Sequence, residues 1–187
     1  MAIDRQTVHE VEVKYRLDDA PALVSALHQR GVVLSEAVVQ DDQAYAPVDW
    51  GYGMSKIGVT FARLRTQDGR HLFTVKRPVD NELACLEHET EVADREQMHA
   101  ALLVMGFAPT VRIVKTRRTG RWREVSLCLD VVQGLGAFVE AETLIAADKS
   151  GHAAQADLDR LVQSLGVPVW RTSETYDSLV RAAALAA

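Results

Sequence analysis

The stretch Glu10-Val11-Glu12-Val13-Lys14-Tyr15-Arg16 alternates charged and uncharged residues at every step. Successive side chains of a β-strand point to opposite faces of the sheet. The four charged residues would therefore share one face, and the valines and the tyrosine would share the other. This alternation predicts a strand over residues 7–17 with a fully charged face.

The same arrangement recurs in most of the later strand candidates. Polar residues spaced two apart lie opposite apolar ones, and the polar rows are Arg63 and Arg65; Thr74 and Lys76; Glu87, Glu89 and Glu91; Lys115 and Arg117; Asp130; and Glu140 and Glu142. Acids concentrate on some strands and bases on others, whereas a surface built for local pairing would mix them.

Twelve elements are predicted from periodicity, caps and turn residues. Further strands are expected at 32–45, 59–66, 71–77, 84–92, 110–119, 123–132 and 137–145. Helices are expected at 20–30, 94–105, 153–165 and 173–184. A glycine-rich loop is expected at 46–58, and a turn at Gly120 would separate the strands on either side of it. Eight strands in hairpin order with few helices predict an α+β fold, an eight-stranded antiparallel β-barrel with helices packed on the outside.

Two interpretations fit one charged strand face taken alone. It is either a solvated outer surface over an ordinary core, or the wall of a polar lumen whose apolar faces turn outward against helices. The segregation of acids from bases favours the lumen for the set as a whole. Like charges inside a barrel are costly without ligands. Metal cations would relieve the carboxylates and a polyanion would relieve the Lys/Arg wall, which indicates a site for a metal–polyphosphate complex.

Composition narrows the setting of this site. The chain has 187 residues and a formal net charge of -5, so we expect one domain over residues 1–187 and no nucleic-acid or membrane partner. Its two cysteines, Cys85 and Cys128, have no C-x-x-C spacing. No apolar run approaches the roughly 18–20 residues of a membrane span, and residues 1–14 lack the apolar stretch of a signal peptide. These features predict a cytoplasmic protein in a reducing compartment.

The ordered motifs resemble those of the CYTH superfamily, also called triphosphate tunnel metalloenzymes. The matching elements are the E-x-E-x-K of residues 10–14, Arg63-x-Arg65, Lys76, the Glu87/Glu89 strand, Lys115-x-Arg117, Asp130, the stretch Gly134-Leu135-Gly136-Ala137-Phe138-Val139-Glu140-Ala141-Glu142, and Glu174-Thr175-Tyr176. The resemblance covers nearly the whole chain in the family's order. It implies a barrel that binds a nucleoside or other organic triphosphate with Mg²⁺ or Mn²⁺.

The resemblance also implies roles for individual residues. Metal ligands would be Glu10, Glu12, Asp130, Glu140 and Glu142. Substrate-binding residues would be Lys14, Arg63, Arg65, Lys76, Glu89, Lys115, Arg117 and Tyr176, with Lys14, Arg63 and Lys115 as the catalytic candidates. Tyr176 would contact the ligand at the tunnel mouth or pack within its helix. Trp50 and Tyr52 in the glycine-rich loop are candidates for stacking on a base. The family further implies a homodimer.

Three functions follow from the resemblance. The first is a class IV adenylyl cyclase of CyaB type, in which ATP gives cyclic AMP and pyrophosphate. The alternative is a triphosphate hydrolase, either a thiamine triphosphatase or an inorganic triphosphatase. Glu142 favours hydrolysis, because some cyclase-type members lack the second glutamate of the last E-x-E. The third is a triphosphate-binding module without turnover, although no motif position is lost.

Overall fold

The computed structural model describes residues 8–186, so the first residue of the predicted strand 7–17 lies outside the described part. The strands are β1 (Val8–Leu17), β2 (Val38–Pro47), β3 (Phe61–Gln67), β4 (Arg70–Pro78), β5 (Ala84–Val92), β6 (Phe107–Trp122), β7 (Val125–Val132), β8 (Gly136–Ala146) and β9 (Trp170–Thr172). The helices are α1 (Ala20–Gln29), α2 (Arg95–Val104), α3 (Gly151–Gln163) and α4 (Tyr176–Ala186).

Eight of these strands close into an antiparallel barrel, which confirms the predicted fold. The order is β5-β4-β3-β2-β6-β7-β8-β1, and β5 pairs with β1 to complete the ring. The closing contact is short, because Glu10 pairs with Cys85 and Val11 with Ala84. The short strand β9 pairs with β1 farther along, where Tyr15 lies opposite Arg171. Three residues are too few to show alternation, so β9 was not predicted.

The outward face of β1 lies in the main hydrophobic core. Val11, Val13 and Tyr15 have no exposed surface, and they pack with residues of α1 and α3. α3 is also fastened to β1 by Gln155, whose Nε2 donates to the backbone carbonyl of Glu12 at 3.0 Å. Burying these apolar faces under helices leaves the charged face of β1 pointing into the barrel. Among the described residues, no helix combines the length and the apolar character that a bilayer span requires.

A second core forms under α2, on the other side of the barrel. Leu102 of the helix packs with Tyr45 and Leu64 of the strands. Asp94 begins this helix, because its Oδ1 accepts from the backbone N–H groups of Glu96 and Gln97. This capping agrees with the helix predicted from Asp94 onward.

Two local predictions are wrong. Gly120 is no turn, since β6 runs through it to Trp122 and the chain reverses at Arg123, which has a positive φ of 56°. A Cβ atom at Gly120 would lie 2.8 Å from Leu34 Cδ2, so glycine is needed here for close packing. The second error concerns residues 32–37, predicted as the start of a strand. They run as irregular chain beside β6, and the strand begins at Val38.

Candidate active site

The barrel encloses a cavity of about 330 Å³, within the range of small-molecule sites. Among residues 8–186, nine acidic side chains and seven basic ones line it. The acids are Glu10, Glu12, Asp42, Glu82, Glu87, Glu89, Glu140, Glu142 and Asp177, and the bases are Lys14, Lys56, Arg63, Arg65, Lys76, Lys115 and Arg117. The lumen therefore has more acidic than basic side chains, and both kinds of wall are present.

The strands β1 and β8 bring four of the predicted residues together. Glu12 lies opposite Glu142 in the ladder, and Lys14 lies opposite Glu140. The Nζ atom of Lys14 is 3.2 Å from Glu12 Oε1 and 3.2 Å from Glu140 Oε1. Burial opposes the charge of Lys14, but the two carboxylates outweigh burial and raise its pKa. Lys14 is therefore a fixed, charged donor between two acids.

Asp130 lies beneath this wall and does not line the cavity. It has no exposed surface, and its carboxylate accepts from Lys115 Nζ at 2.7 Å, Arg117 Nε at 2.7 Å and Arg117 Nη2 at 2.6 Å. Arg117 also contacts Glu140. Both oxygens of Asp130 are thus engaged by bases, as are those of Glu140, but of the five predicted metal ligands Asp130 alone does not line the cavity.

On the facing wall, Asp42 pairs with Arg65 in the way that Asp130 pairs with Lys115 and Arg117. Its two carboxylate oxygens accept from Arg65 Nε and Nη2, each at 2.7 Å. Asp42 was not predicted as a site residue. Its strand is polar on both faces, with Gln40 and Asp42 on one and Asp41 and Gln43 on the other, so alternation gave no signal.

A looser cluster lies on β3, β4 and β5, next to the seam where β5 pairs with β1. Arg63 Nη2 donates to Thr74 Oγ1 at 3.0 Å and to Glu89 Oε2 at 3.1 Å. Its Nε is buried and has no hydrogen-bond partner among the described residues. Lys76 contacts Glu87, and its Nζ donates to Glu10 Oε1 at 3.2 Å. Glu89 thus forms an ion pair with Arg63 and helps to hold its side chain in place.

The surroundings of two lumen carboxyl groups raise their pKa values to near neutral pH. Burial raises the pKa of Glu10 to about 8, with Lys76 opposing the rise and Glu87 and Glu142 adding to it. Burial, Glu140 and Glu12 together raise the pKa of Glu142 to about 7. The pKa of Glu87 is instead lowered to about 2, because Lys76 and Arg63 outweigh its burial. For Glu10 and Glu142, the positive charge nearby does not offset burial and the neighbouring carboxylates.

Oxygen ligands also converge near Glu142. One ligand atom each of Glu140, Glu142 and Cys128 lies within 4.8 Å of the other two. Burial raises the pKa of the Cys128 thiol, so the carboxylates are the ready ligands in this group. With Glu12 opposite Glu142, the site presents the oxygen donors that Mg²⁺ and Mn²⁺ prefer.

Tyr176, the first residue of α4, is buried against the end of the cavity. Its ring lies 4.3 Å from Lys14 Nζ and 4.6 Å from Lys115 Nζ, and it packs edge-on against Phe138. Trp50 also lines the cavity, whereas Tyr52 packs under Arg181 of α4. Of the two residues predicted to stack on a base, only Trp50 faces the lumen.

The structure brings most of the predicted site residues to one cavity. Those that line it are Glu10, Glu12, Lys14, Arg63, Arg65, Lys76, Glu89, Lys115, Arg117, Glu140, Glu142 and Tyr176. Asp42, Glu82, Lys56 and Asp177 also line it and were missed. The last three come from loops and a helix start, where no strand alternation marks an inward side chain.

Known proteins with related sequences and folds were found by comparison. A family model of the CYTH domain matches residues 8–170. A protein of Methanocaldococcus jannaschii, named "putative adenylate cyclase", is 25% identical over 160 residues, covering 84% of this chain and 90% of that protein.

Three solved structures share the fold at lower identity. The PH1819 protein from Pyrococcus horikoshii has a TM-score of 0.76 at 24% identity, over 91% of this chain and 97% of its own. A "putative adenylate cyclase" from Vibrio parahaemolyticus has a TM-score of 0.74 at 22% identity, over 92% and 97%. A Hippeastrum protein, described as a "putative adenylyl cyclase" with "a dominant triphophatase activity", has a TM-score of 0.63 at 19% identity, over 92% and 95%. From the family match over residues 8–170, together with the closed barrel and its charged lumen, this chain belongs to the CYTH domain family.

Proposed function

We propose that the protein is a divalent-metal-dependent enzyme that cleaves the triphosphate chain of a nucleoside or other organic triphosphate inside the barrel. The observation that carries this proposal is the charge of the lumen. Buried bases suited to phosphate oxygens share one cavity with a larger number of carboxylates. A polyanion alone would add negative charge to a lumen whose bases are already paired with acids, whereas a polyanion bound with divalent cations would bring its own balancing charge.

The acids of β1 and β8 fit a divalent metal. Burial, together with neighbouring carboxylates, raises the pKa values of Glu10 and Glu142, and Glu12 lies opposite Glu142. We assign the metal to Glu10, Glu12, Glu140 and Glu142, and we assign to Asp130 the role of holding Lys115 and Arg117. When bound, Mg²⁺ or Mn²⁺ would supply Lewis-acid stabilisation of charge on the phosphate oxygens.

The basic side chains would bind and orient the triphosphate. Arg63 keeps a buried Nε without a partner among the described residues, so it has a donor left for a phosphate oxygen. Lys14 and Lys115 line the lumen, and the ammonium group of each lies against the ring of Tyr176. Because acids hold these bases in place before the substrate binds, little reorganisation would be needed at the moment of reaction.

We propose cyclisation of ATP as the first candidate reaction. The relatives from Methanocaldococcus and Vibrio are named for it, and Trp50 and Phe61 give the cavity an aromatic portion beside its charged one. In this reaction the ribose 3′ oxygen attacks the α-phosphorus, a new P–O bond forms, and pyrophosphate leaves.

Hydrolysis is the second candidate, and Glu142 favours it. This glutamate completes the last E-x-E, lies in the lumen opposite Glu12, and enlarges the set of metal ligands. The Hippeastrum protein is described by its triphosphatase activity, although it was named as a cyclase. Water would attack the terminal phosphorus, the bond from that phosphorus to the bridging oxygen would break, and orthophosphate and the diphosphate would be released, with the same lysines and arginines binding the chain.

Product analysis distinguishes these reactions. The purified protein would be incubated with ATP, thiamine triphosphate or inorganic triphosphate in the presence of Mg²⁺ or Mn²⁺. The products would be separated by chromatography and identified by mass spectrometry. Cyclic AMP with pyrophosphate would establish cyclisation. Orthophosphate from any of the three substrates would establish hydrolysis. Tight triphosphate binding without turnover of any substrate would instead identify a binding module.

A further inference from the structure

Lys56 of the β2–β3 loop is a buried lysine outside the recognised motifs. Only 7% of its surface is exposed. Its Nζ donates to Thr175 Oγ1 at 2.6 Å, Ser178 Oγ at 2.8 Å and Asp177 Oδ2 at 3.3 Å, and it lies 3.0 Å from Glu82 Oε2. One ammonium group thus contacts four side chains from two other segments of the chain.

These segments meet at one end of the barrel. The loop that carries Lys56 joins the end of β2 to the start of β3, and the loop that carries Glu82 joins the end of β4 to the start of β5. In an antiparallel barrel these four strand ends lie at the same mouth. Lys56, Glu82 and Asp177 all line the cavity, so the ammonium group ties two loops and α4 together across that mouth.

The tie reaches the residues proposed to bind phosphate. Thr175, Asp177 and Ser178 flank Tyr176, whose ring lies against the ammonium groups of Lys14 and Lys115. Lys14 Nζ also donates to the backbone carbonyl of Glu174, just before α4, at 3.4 Å. The first turn of α4 therefore contacts both of these lumen ammonium groups, in addition to the acids that pair with them.

We propose that Lys56 is a positioning residue, a latch that fastens the two loops to the first turn of α4 and thereby keeps Tyr176 against Lys14 and Lys115. This inference rests on the proposed function, because it assigns those two lysines to the triphosphate. Lys56 itself need not touch the substrate. Opening the latch would release α4 and the β2–β3 loop together, and the lumen would hold its ligand less firmly.

The test compares Lys56→Met with Lys56→Arg and with Lys149→Met, since Lys149 is an exposed lysine outside the lumen. Two quantities are measured at a temperature where all variants are folded. The first is the Kd for inorganic triphosphate with Mg²⁺, and the second is amide hydrogen exchange in residues 48–58 and 176–180.

We expect Lys56→Met to raise the Kd about tenfold, the effect of losing about 1.4 kcal/mol of binding energy. We also expect it to speed exchange in both segments while leaving β6 to β8 unchanged. Lys56→Arg should restore most of both properties, because arginine keeps the charge, and Lys149→Met should change neither. An unchanged Kd in Lys56→Met would overturn the proposal, whatever the exchange data show.

A second variant provides the same test in case the Lys56→Met protein does not fold. Thr175→Val with Ser178→Ala removes two acceptors and leaves the lysine and its acids in place. It should give the same changes in smaller degree, and wild-type Kd and exchange in this variant would contradict the latch. If the wild-type protein binds no triphosphate, the proposed function fails by itself. The latch is then decided by exchange alone: it stands if the variants speed exchange in both segments and falls if they do not.

Discussion

Two regions of the lumen treat their charges differently. In the sealed cluster, Lys115, Arg117, Asp130 and Glu140, each side chain is at most 14% exposed and acids and bases balance. In the open cluster, Glu10, Arg63, Lys76, Glu87 and Glu89, exposure reaches 39% and acids outnumber bases. Removing or displacing one partner of a buried ion pair is strongly destabilising, because it leaves an uncompensated charge in the interior. The sealed cluster is therefore suited to hold Lys115 and Arg117 in place, with Glu140 facing the lumen as a proposed metal ligand, and the open cluster is suited to receive an ion or ligand.

The largest expected effect comes from breaking the sealed cluster. Asp130→Ala would leave Lys115 and Arg117 buried without their shared acceptor, and losing one partner of a buried ion pair costs about 3–5 kcal/mol. The free energy of unfolding from denaturant titration measures this loss. As a control, Glu124→Ala removes an exposed acid paired with Arg121 and should leave stability unchanged. A stable Asp130→Ala protein would show that the cluster is not sealed.

Removing an acid proposed to bind metal should act on turnover instead. Glu12→Gln keeps the shape of the side chain but removes a negative charge that lies opposite Glu142. We expect metal-dependent turnover to fall by about 100-fold, the scale of removing one group that stabilises transition-state charge, with the fold retained. The matched control is Glu36→Gln on the exposed surface. Full activity in Glu12→Gln would remove this residue from the metal site.

Arg63 tests the open cluster from its basic side. Arg63→Lys keeps the charge but loses the buried Nε donor that has no partner among the described residues. A hydrogen bond to a charged group contributes roughly 1.5–3 kcal/mol, so triphosphate binding should weaken by about 10-fold to 100-fold. Calorimetric titration measures the Kd. Arg112→Lys, which alters an exposed ion pair with Asp41, serves as control, and equal Kd values in both variants would count against Arg63.

The last expected effect is the pH dependence of stability without metal. Glu10 and Glu142 have folded-state pKa values of about 8 and about 7, above the ordinary 4.5. Between pH 4.5 and pH 8 the folded protein therefore binds more protons than the unfolded chain. Because of this difference, the stability that these two groups contribute is lost as the pH rises from 4.5 to 8. Glu87 acts in the opposite sense below pH 4.5, because its pKa is lowered.

Thermal unfolding in EDTA across this pH range measures the effect. The Tm should decrease toward pH 8, and a Glu10→Gln, Glu142→Gln double variant should flatten the curve. Since a metal ion competes with those protons, added Mg²⁺ should raise the Tm more at high pH than at low pH. A Tm that rises toward pH 8 would contradict the assignment of these two groups.

The barrel and its polar wall were predictable because alternation is strict where one face is buried under helices and the other lines the lumen. β1 and β8 show this most clearly, and the charged residues predicted from them lie together in the cavity. The signal disappears wherever that asymmetry is absent. β2 is polar on both faces, so Asp42 was missed, and β9 is too short to alternate.

Other features depend on contacts that a linear sequence does not display. Glycine is a typical turn residue, but Gly120 lies within a strand and allows the chain to pack closely against Leu34, more than 80 positions away. Asp130 shares its strand parity with lumen residues, yet two bases cover it. Lys56 lies in a loop without periodicity, and its partners come from the other end of the chain.

Titration of inorganic triphosphate into the protein, first in EDTA and then with Mg²⁺ or Mn²⁺, tests the central claim most directly. Because acids outnumber bases in the lumen, the account predicts weak binding in EDTA and binding at least about tenfold tighter with the metal. Equally tight binding in EDTA, or no binding under either condition, would contradict a lumen built for a metal–triphosphate complex.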